Sequence, residues 1–193
     1  FAGVGLLRFW EHEAAKDDLQ ELKALGYKAC MVPMKPGEGV FFNSRKMEPF
    51  WQAVEDSGLT FCFHIGENNA GAGGRGGAAT NALTTLGGFR ALWGLLAFSG
   101  VFDRHQNMKM VFAEGGLSWV PSTLYDSDLI YATYGADMEP RLSHPPSWYW
   151  FNQCYATFMA DPAGLETIHR IGVDRALWAS DYPHNEGTLG FTR

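Results

Sequence analysis

Short, continuously apolar runs alternate along the chain with segments whose apolar residues recur every three or four positions. Val4 to Leu7, Lys28 to Pro33, Thr60 to His64, Lys109 to Ala113, Cys154 to Phe158 and Ala176 to Ser180 are runs of the first kind. An apolar run of that length without polar alternation predicts a parallel strand buried on both faces. Between the runs, Glu13 to Leu25 places Ala15, Leu19, Leu22 and Leu25 on one helical face ahead of Gly26, a residue suited to the left-handed cap. Pro49 opens a helix that turns Phe50, Trp51 and Val54 inward and stops at Gly58. Leu83 to Ser99 and Ser122 to Thr133 carry further helical patterns. Asp161-Pro162 supplies an N-cap and first-turn pair for a helix ending near Ile171.

Alternating elements with buried strands argue a parallel sheet, either open and doubly wound or closed as a (β/α)8 barrel. Three of the runs end by delivering a polar group. F-C-F-H-I-G delivers His64, M-V-F-A-E-G-G delivers Glu114, and A-L-W-A-S-D-Y-P-H delivers Asp181 and His184. In both architectures the carboxyl ends of strands assemble the site. A doubly wound sheet would place a glycine-rich phosphate turn after its first strand, and no G-x-G-x-x-G opens a helix here. The glycine-dense stretch Gly66 to Gly77 follows the His64 strand instead and lacks periodicity, so it reads as a loop or lid. We therefore expect one α/β domain over residues 1–193, a (β/α)8 TIM barrel that is incomplete, with about six strands visible.

Composition narrows the partners. The 193 residues are 46% hydrophobic and 15% aromatic, enough for one sizeable core, and the net charge of −6 offers no basic footprint for nucleic acid or an anionic membrane. The longest uncharged apolar stretch, Ala91 to Phe102, is far short of the roughly 20 residues of a spanning helix. Cys30, Cys62 and Cys154 each sit inside an apolar run, which fits buried core thiols and a reducing cytoplasm. The aromatic run Trp148 to Phe151 reads as barrel-wall packing rather than a pocket. Asp126 and Asp128 lie two apart on a helix, do not face each other, and read as a solvated face or contacts to basic neighbours.

The order H-I-G, A-E-G-G-L-S-W-V-P and W-A-S-D-Y-P-H-N-E-G-T resembles the amidohydrolase-related family. This branch of the metal-dependent amidohydrolase superfamily contains aminocarboxymuconate-semialdehyde decarboxylase and the resorcylate decarboxylases. The most specific part of the likeness is Ser180-Asp181-Tyr182-Pro183-His184, which matches the family's eighth-strand signature, and His64 matches its fifth-strand histidine. The resemblance implies one divalent metal, commonly zinc, held by an H-x-H pair on the first strand together with His64 and Asp181. No H-x-H occurs in this sequence, since His12, His105, His144 and His169 each stand alone. With the start at Phe1 and the end at Arg193, the resemblance implies a chain without its first strand or strands and its last helix. A second departure is Glu114, which stands where the family's decarboxylases have a histidine in A-H-G-G-G.

The residue chemistry leaves alternatives open. Neutral imidazole and carboxylate are good ligands for a divalent ion, so His64 and Asp181 are candidate metal ligands. The competing readings are a hydrogen-bonded core histidine and a strand-end cap. Glu114 is a candidate for proton transfer, or else a salt-bridged anchor of the Gly115-Gly116 turn. His184 is a candidate substrate-binding or Asp181-orienting group, or simply a turn residue. Arg75 is a candidate partner for a substrate carboxylate, or a solvated loop charge. The leading expectation is a metal-dependent hydrolase of a C–N or ester-like bond in a small-molecule substrate. The alternatives are a metal-dependent decarboxylase of a small aromatic or unsaturated carboxylate, and a non-catalytic binding or homo-oligomerising subunit.

Overall fold

A computed structural model of the chain describes residues 2–8, 11–34, 39, 41–66, 71, 73–184 and 187. Residues 67–70 and 72 of the glycine-dense stretch lie outside the described residues, as do the chain ends Phe1 and Arg193. The six apolar runs all form strands: β1 (Val4–Leu6), β2 (Ala29–Pro33), β3 (Thr60–His64), β4 (Met110–Ala113), β5 (Cys154–Phe158) and β6 (Ala176–Trp178). They pair in sequence order, every pair parallel. Helices fill the connections: α1 (Ala15–Ala24), α2 (Glu48–Ser57), α3 (Gly77–Leu86), α4 (Gly88–Phe98), α5 (Val101–Arg104), α6 (Trp119–Tyr134), α7 (Pro146–Gln153) and α8 (Pro162–Glu166). None of the described helices is long and apolar enough to cross a membrane.

Register sorts the strand residues into rows. Cys30, Phe61, Met110 and Cys154 stand side by side, as do Val32, Phe63, Phe112 and Ala156. All eight are fully buried, and aromatic residues of the helices close over them. Trp119 and Trp150 pack on the Phe112 ring, and Phe50 and Trp51 on Phe61. Trp150 also donates its indole N–H to the Ile171 carbonyl at 2.9 Å, so Tyr149 and Trp150 of the aromatic run are wall packing, both fully buried, whereas Phe151 is exposed. The opposite strand face carries Met31, Cys62, Val111 and Tyr155 in register, and further along it His64 stands beside Pro33 and Ala113.

Where structure and sequence pattern differ, the cause is local. Leu83 to Ser99 is not one helix: α3 and α4 meet at Gly87-Gly88, two residues of poor helix propensity in succession. Helix α3 also begins at Gly77, directly after the glycine-dense stretch, and Leu83 on it is 71% exposed. Leu25 lies past the last helical residue of α1 and points to solvent rather than into the core. Strand β6 is buried on neither face at Leu177 and Trp178, because it has a neighbour only at β5. Gly26 and Gly58 do take the left-handed cap conformation. The three cysteines are buried and free, Asp126 pairs with Arg90, and Asp128 accepts the Ser147 N–H.

Asp161 does more than cap α8. One carboxylate oxygen accepts the Gly164 N–H at 2.8 Å, while the other reaches across to the Leu117 and Ser118 N–H groups at 2.6 and 2.9 Å. Burial pushes this carboxyl up, but the N–H groups of Gly164, Leu117 and Ser118 outweigh it and hold it below the ordinary carboxylate range. A lowered native value stabilises the fold above the unfolded pKa, and that contribution is lost as pH falls through the lowered value. Asp161→Ala should therefore cost about 2 kcal/mol at pH 7. The difference from wild type should shrink below about pH 4. Denaturant melts across that range check it, and a difference that does not vary with pH would refute the anchoring role.

Candidate active site

The strand register sets the site. His64 ends β3 opposite Ala113, the last residue of β4, so Glu114 is the first residue beyond the paired strands, and its left-handed backbone leaves it beside the imidazole. His64 donates from Nδ1 to the Ile65 carbonyl at 2.5 Å, which fixes the tautomer and turns Nε2 toward Glu114 Oε2, 2.8 Å away. Two acceptors cannot approach so closely without something positive between them, either a shared proton or a cation. Past β6 the chain turns back on itself, and His184 Nδ1 lies 3.0 Å from Asp181 Oδ2 and 3.5 Å from Glu114 Oε1. Glu114 thus presents one oxygen to each of two histidines.

Both carboxylates stand on strained backbone. Among the described residues, Glu114 (φ 72°) and Asp181 (φ 55°) are the two non-glycine residues with positive φ. Such conformations cost on the order of 1–3 kcal/mol each and persist where surrounding contacts over-determine them. At Glu114 those contacts come from β5 and from the cap of α8. Thr157 Oγ1 accepts the Glu114 N–H at 2.6 Å, the Thr157 carbonyl accepts the Gly116 N–H, and Asp161 holds the next two amides. At Asp181 the chain makes two successive turns, with His184 N–H donating to the Asp181 carbonyl and Gly187 N–H to the His184 carbonyl. A side chain at 187 would meet the Ser180 carbonyl oxygen at 2.8 Å, so the glycine of D-Y-P-H-N-E-G is a packing requirement.

Electrostatics follow from this crowding. Burial pushes the Glu114 carboxyl up, His64 pulls it down, and the neighbouring Asp181 carboxylate raises it again, for a net upward displacement. His184 is raised chiefly by its hydrogen bond to Asp181. Beside Glu114 lies a cavity of about 540 Å³, lined by Leu83, Leu86, Trp119, Met159 and Asp161 among others. A larger cavity of about 1050 Å³ shares no residue with the cluster, and its Glu48 and Arg104 are paired with each other.

The structure therefore brings together four of the five residues singled out in the sequence: His64, Glu114, Asp181 and His184. Arg75 is exposed in the turn before α3, and no bond among the described residues joins it to the cluster. Sequence reasoning missed Thr157 and saw Asp161 as a cap alone. Thr157 is a polar residue near the end of an apolar strand, the same signal that picked out His64. The donor set suits a divalent cation. One ligand atom each from Glu114, Asp181 and His184 all lie within 4.8 Å of one another, and imidazole and carboxylate together favour ions such as zinc or manganese.

A family model described as amidohydrolase matches residues 1–191. No curated protein matches the sequence. Among solved structures, an amidohydrolase from Mycobacterium avium subsp. paratuberculosis is 22% identical, covering 94% of this chain and 49% of that one, with a TM-score of 0.79. A 2,6-dihydroxybenzoate decarboxylase from Rhizobium is 21% identical over 95% of this chain and 60% of that one, with a TM-score of 0.75. A 5-carboxyvanillate decarboxylase from Novosphingobium aromaticivorans, complexed with manganese and 4-hydroxy-3-methoxy-5-nitrobenzoic acid, is 18% identical over 95% and 55%, with a TM-score of 0.79. The chain spans about half the length of these proteins. The six-stranded parallel arc is thus part of a (β/α)8 barrel.

The strain at Glu114 has a measurable consequence. Glu114→Gly and Glu114→Ala both delete the carboxylate, but only glycine adopts the left-handed backbone at no steric cost. Glu114→Gly should be more stable than Glu114→Ala by about 1 kcal/mol in equilibrium unfolding. Equal stabilities would mean that the left-handed turn relaxes in solution.

Proposed function

Because the chain belongs to the amidohydrolase family, we propose that the intact protein is a metal-dependent decarboxylase of a small aromatic or unsaturated carboxylate. The observation that carries this reading is Glu114, a carboxyl raised by burial whose Oε2 lies 2.8 Å from His64 Nε2 and whose other oxygen faces His184. A carboxyl displaced upward in this way is suited to proton transfer. Loss of carbon dioxide breaks the bond between the carboxylate and its carbon and leaves the electron pair on that carbon, which then takes the Glu114 proton. In this reading His64 and Asp181 hold the ion, His184 orients Asp181, and Arg75 pairs with a substrate carboxylate. A bound divalent ion would polarise the substrate's oxygens and offset the charge that develops as the bond breaks. The two solved decarboxylases support the reaction class. For the ion itself, the imidazole donors suit zinc, while the manganese of the Novosphingobium protein makes manganese the competitor.

Hydrolysis of a C–N or ester-like bond is the second reading. It is favoured by Glu114 itself, which stands where the sequence resemblance sets a histidine in decarboxylases. An amide or ester bond would then be cleaved by water, with Glu114 passing the proton to the leaving group.

The test is to assay the intact protein, with zinc or manganese restored, for carbon dioxide release from a panel of aromatic carboxylates beside a panel of amides and esters. Carbon dioxide release is expected. Glu114→Gln should lower turnover by about 10²-fold while the ion at His64 and Asp181 is retained. His64→Ala and Asp181→Ala should each lose most of that ion by elemental analysis. Hydrolysis products without carbon dioxide would move the assignment to the second reading, and unchanged metal in both alanine variants would remove the ligand assignment.

A further inference from the structure

The cavity of about 540 Å³ beside Glu114 falls within the range of small-molecule pockets, roughly 300–1,000 Å³. Two of its lining residues, Leu83 and Leu86, stand three apart on α3 and so share one side of that helix. They are 71% and 52% exposed, apolar side chains with little protein over them. Met159, just past β5, and Trp119, at the start of α6, continue the apolar lining. An edge contact to Phe112 and an indole N–H donated to the Gly116 carbonyl fix the Trp119 ring, so this wall is firmly placed. None of the described residues lining the cavity carries a positive charge. Asp161 carries a negative one, held ionised by the N–H groups of Gly164, Leu117 and Ser118, which occupy both of its oxygens. A carboxylate placed here would meet a like charge and no cation to offset its desolvation.

We infer that this cavity seats the uncharged, apolar body of a monocarboxylate substrate, with Leu83, Leu86, Trp119 and Met159 selecting that body and Asp161 excluding a second carboxylate. The inference rests on the decarboxylase reading for the end of the substrate that reacts. Glu114 lines the cavity and also meets His64 and His184, so a molecule whose carboxylate sits at that cluster extends its opposite end toward α3 and α6. An apolar chain at that end gains affinity by leaving water, which a bare ring does not. A second carboxylate gains nothing there, so selectivity comes from what the cavity lacks as much as from what lines it.

The experiment is a calorimetric titration of the intact protein, with zinc or manganese restored, using benzoate, 4-butylbenzoate and terephthalate. These differ only at the position opposite the reacting carboxylate. 4-Butylbenzoate should bind about tenfold more tightly than benzoate, and terephthalate no more tightly than benzoate. Leu86→Trp, at an exposed position where added bulk does not disturb the core, should remove the butyl gain. Leu86→Arg should reverse the preference and favour terephthalate over 4-butylbenzoate, a gain that a misfolded variant does not show. Equal affinity for benzoate and 4-butylbenzoate overturns the inference. So do a butyl gain that survives in Leu86→Trp, terephthalate binding most tightly to the wild type, and failure of all three to bind. Carbon dioxide release from the aromatic carboxylates is followed separately. A butyl gain in a protein that releases none keeps the apolar subsite and removes the decarboxylase reading, whereas release without a butyl gain removes the subsite alone.

Discussion

The register between β3 and β4 is the constraint on which the site depends. With His64 opposite Ala113, the first residue past β4 is Glu114, and with its backbone in the left-handed region (φ 72°) its carboxylate lies 2.8 Å from the imidazole. A slip of one position would move every strand residue to the other face and put the rows of Phe61, Phe63, Met110 and Phe112 outside the core. Those rows are packed by Trp51, Trp119 and Trp150, so the hydrophobic core fixes the register and the register fixes the distance from His64 to Glu114. Packing and chemistry are thus set by the same strand pairing.

The cost of the site is concentrated at the two carboxylates. Both occupy backbone conformations that side chains rarely adopt, and Glu114 is largely withdrawn from water beside another acid. The structure offsets this with hydrogen bonds from one strand further along. Thr157 takes the Glu114 amide, and Asp161 takes the two amides that begin the path into α6. The Asp181 turn has no such outside support among the described hydrogen bonds and relies on its own carbonyls and on Gly187. The backbone at Glu114 is thus held by bonds from another part of the chain and that at Asp181 by a local turn.

The strands were legible because each is a closed apolar run, and β3 and β5 match their predicted bounds in full, at Thr60–His64 and Cys154–Phe158. The site was legible for the same reason, since a polar residue ending such a run projects from the strand's carboxyl end. Helix boundaries were less so. Gly87-Gly88 interrupts an apolar pattern without changing its hydrophobicity, and periodicity cannot register the break. The left-handed backbone at Glu114 and Asp181 leaves no mark on composition, because neither residue is glycine. Thr157 was overlooked because its contribution is a hydrogen bond to a backbone amide formed by tertiary pairing. Arg75, named for its charge on the glycine-rich loop, has no bond to the cluster among the described residues.

The proposed cation-binding centre gathers His64, Glu114, Asp181 and His184 at the carboxyl ends of the strands. Its most direct test is an anomalous-difference map, recorded at the zinc or manganese edge, from crystals of the intact protein grown with that metal. A peak is expected within about 2.0–2.2 Å of donor atoms from this cluster. A map with no peak there, or with its peaks only at other residues, would contradict it.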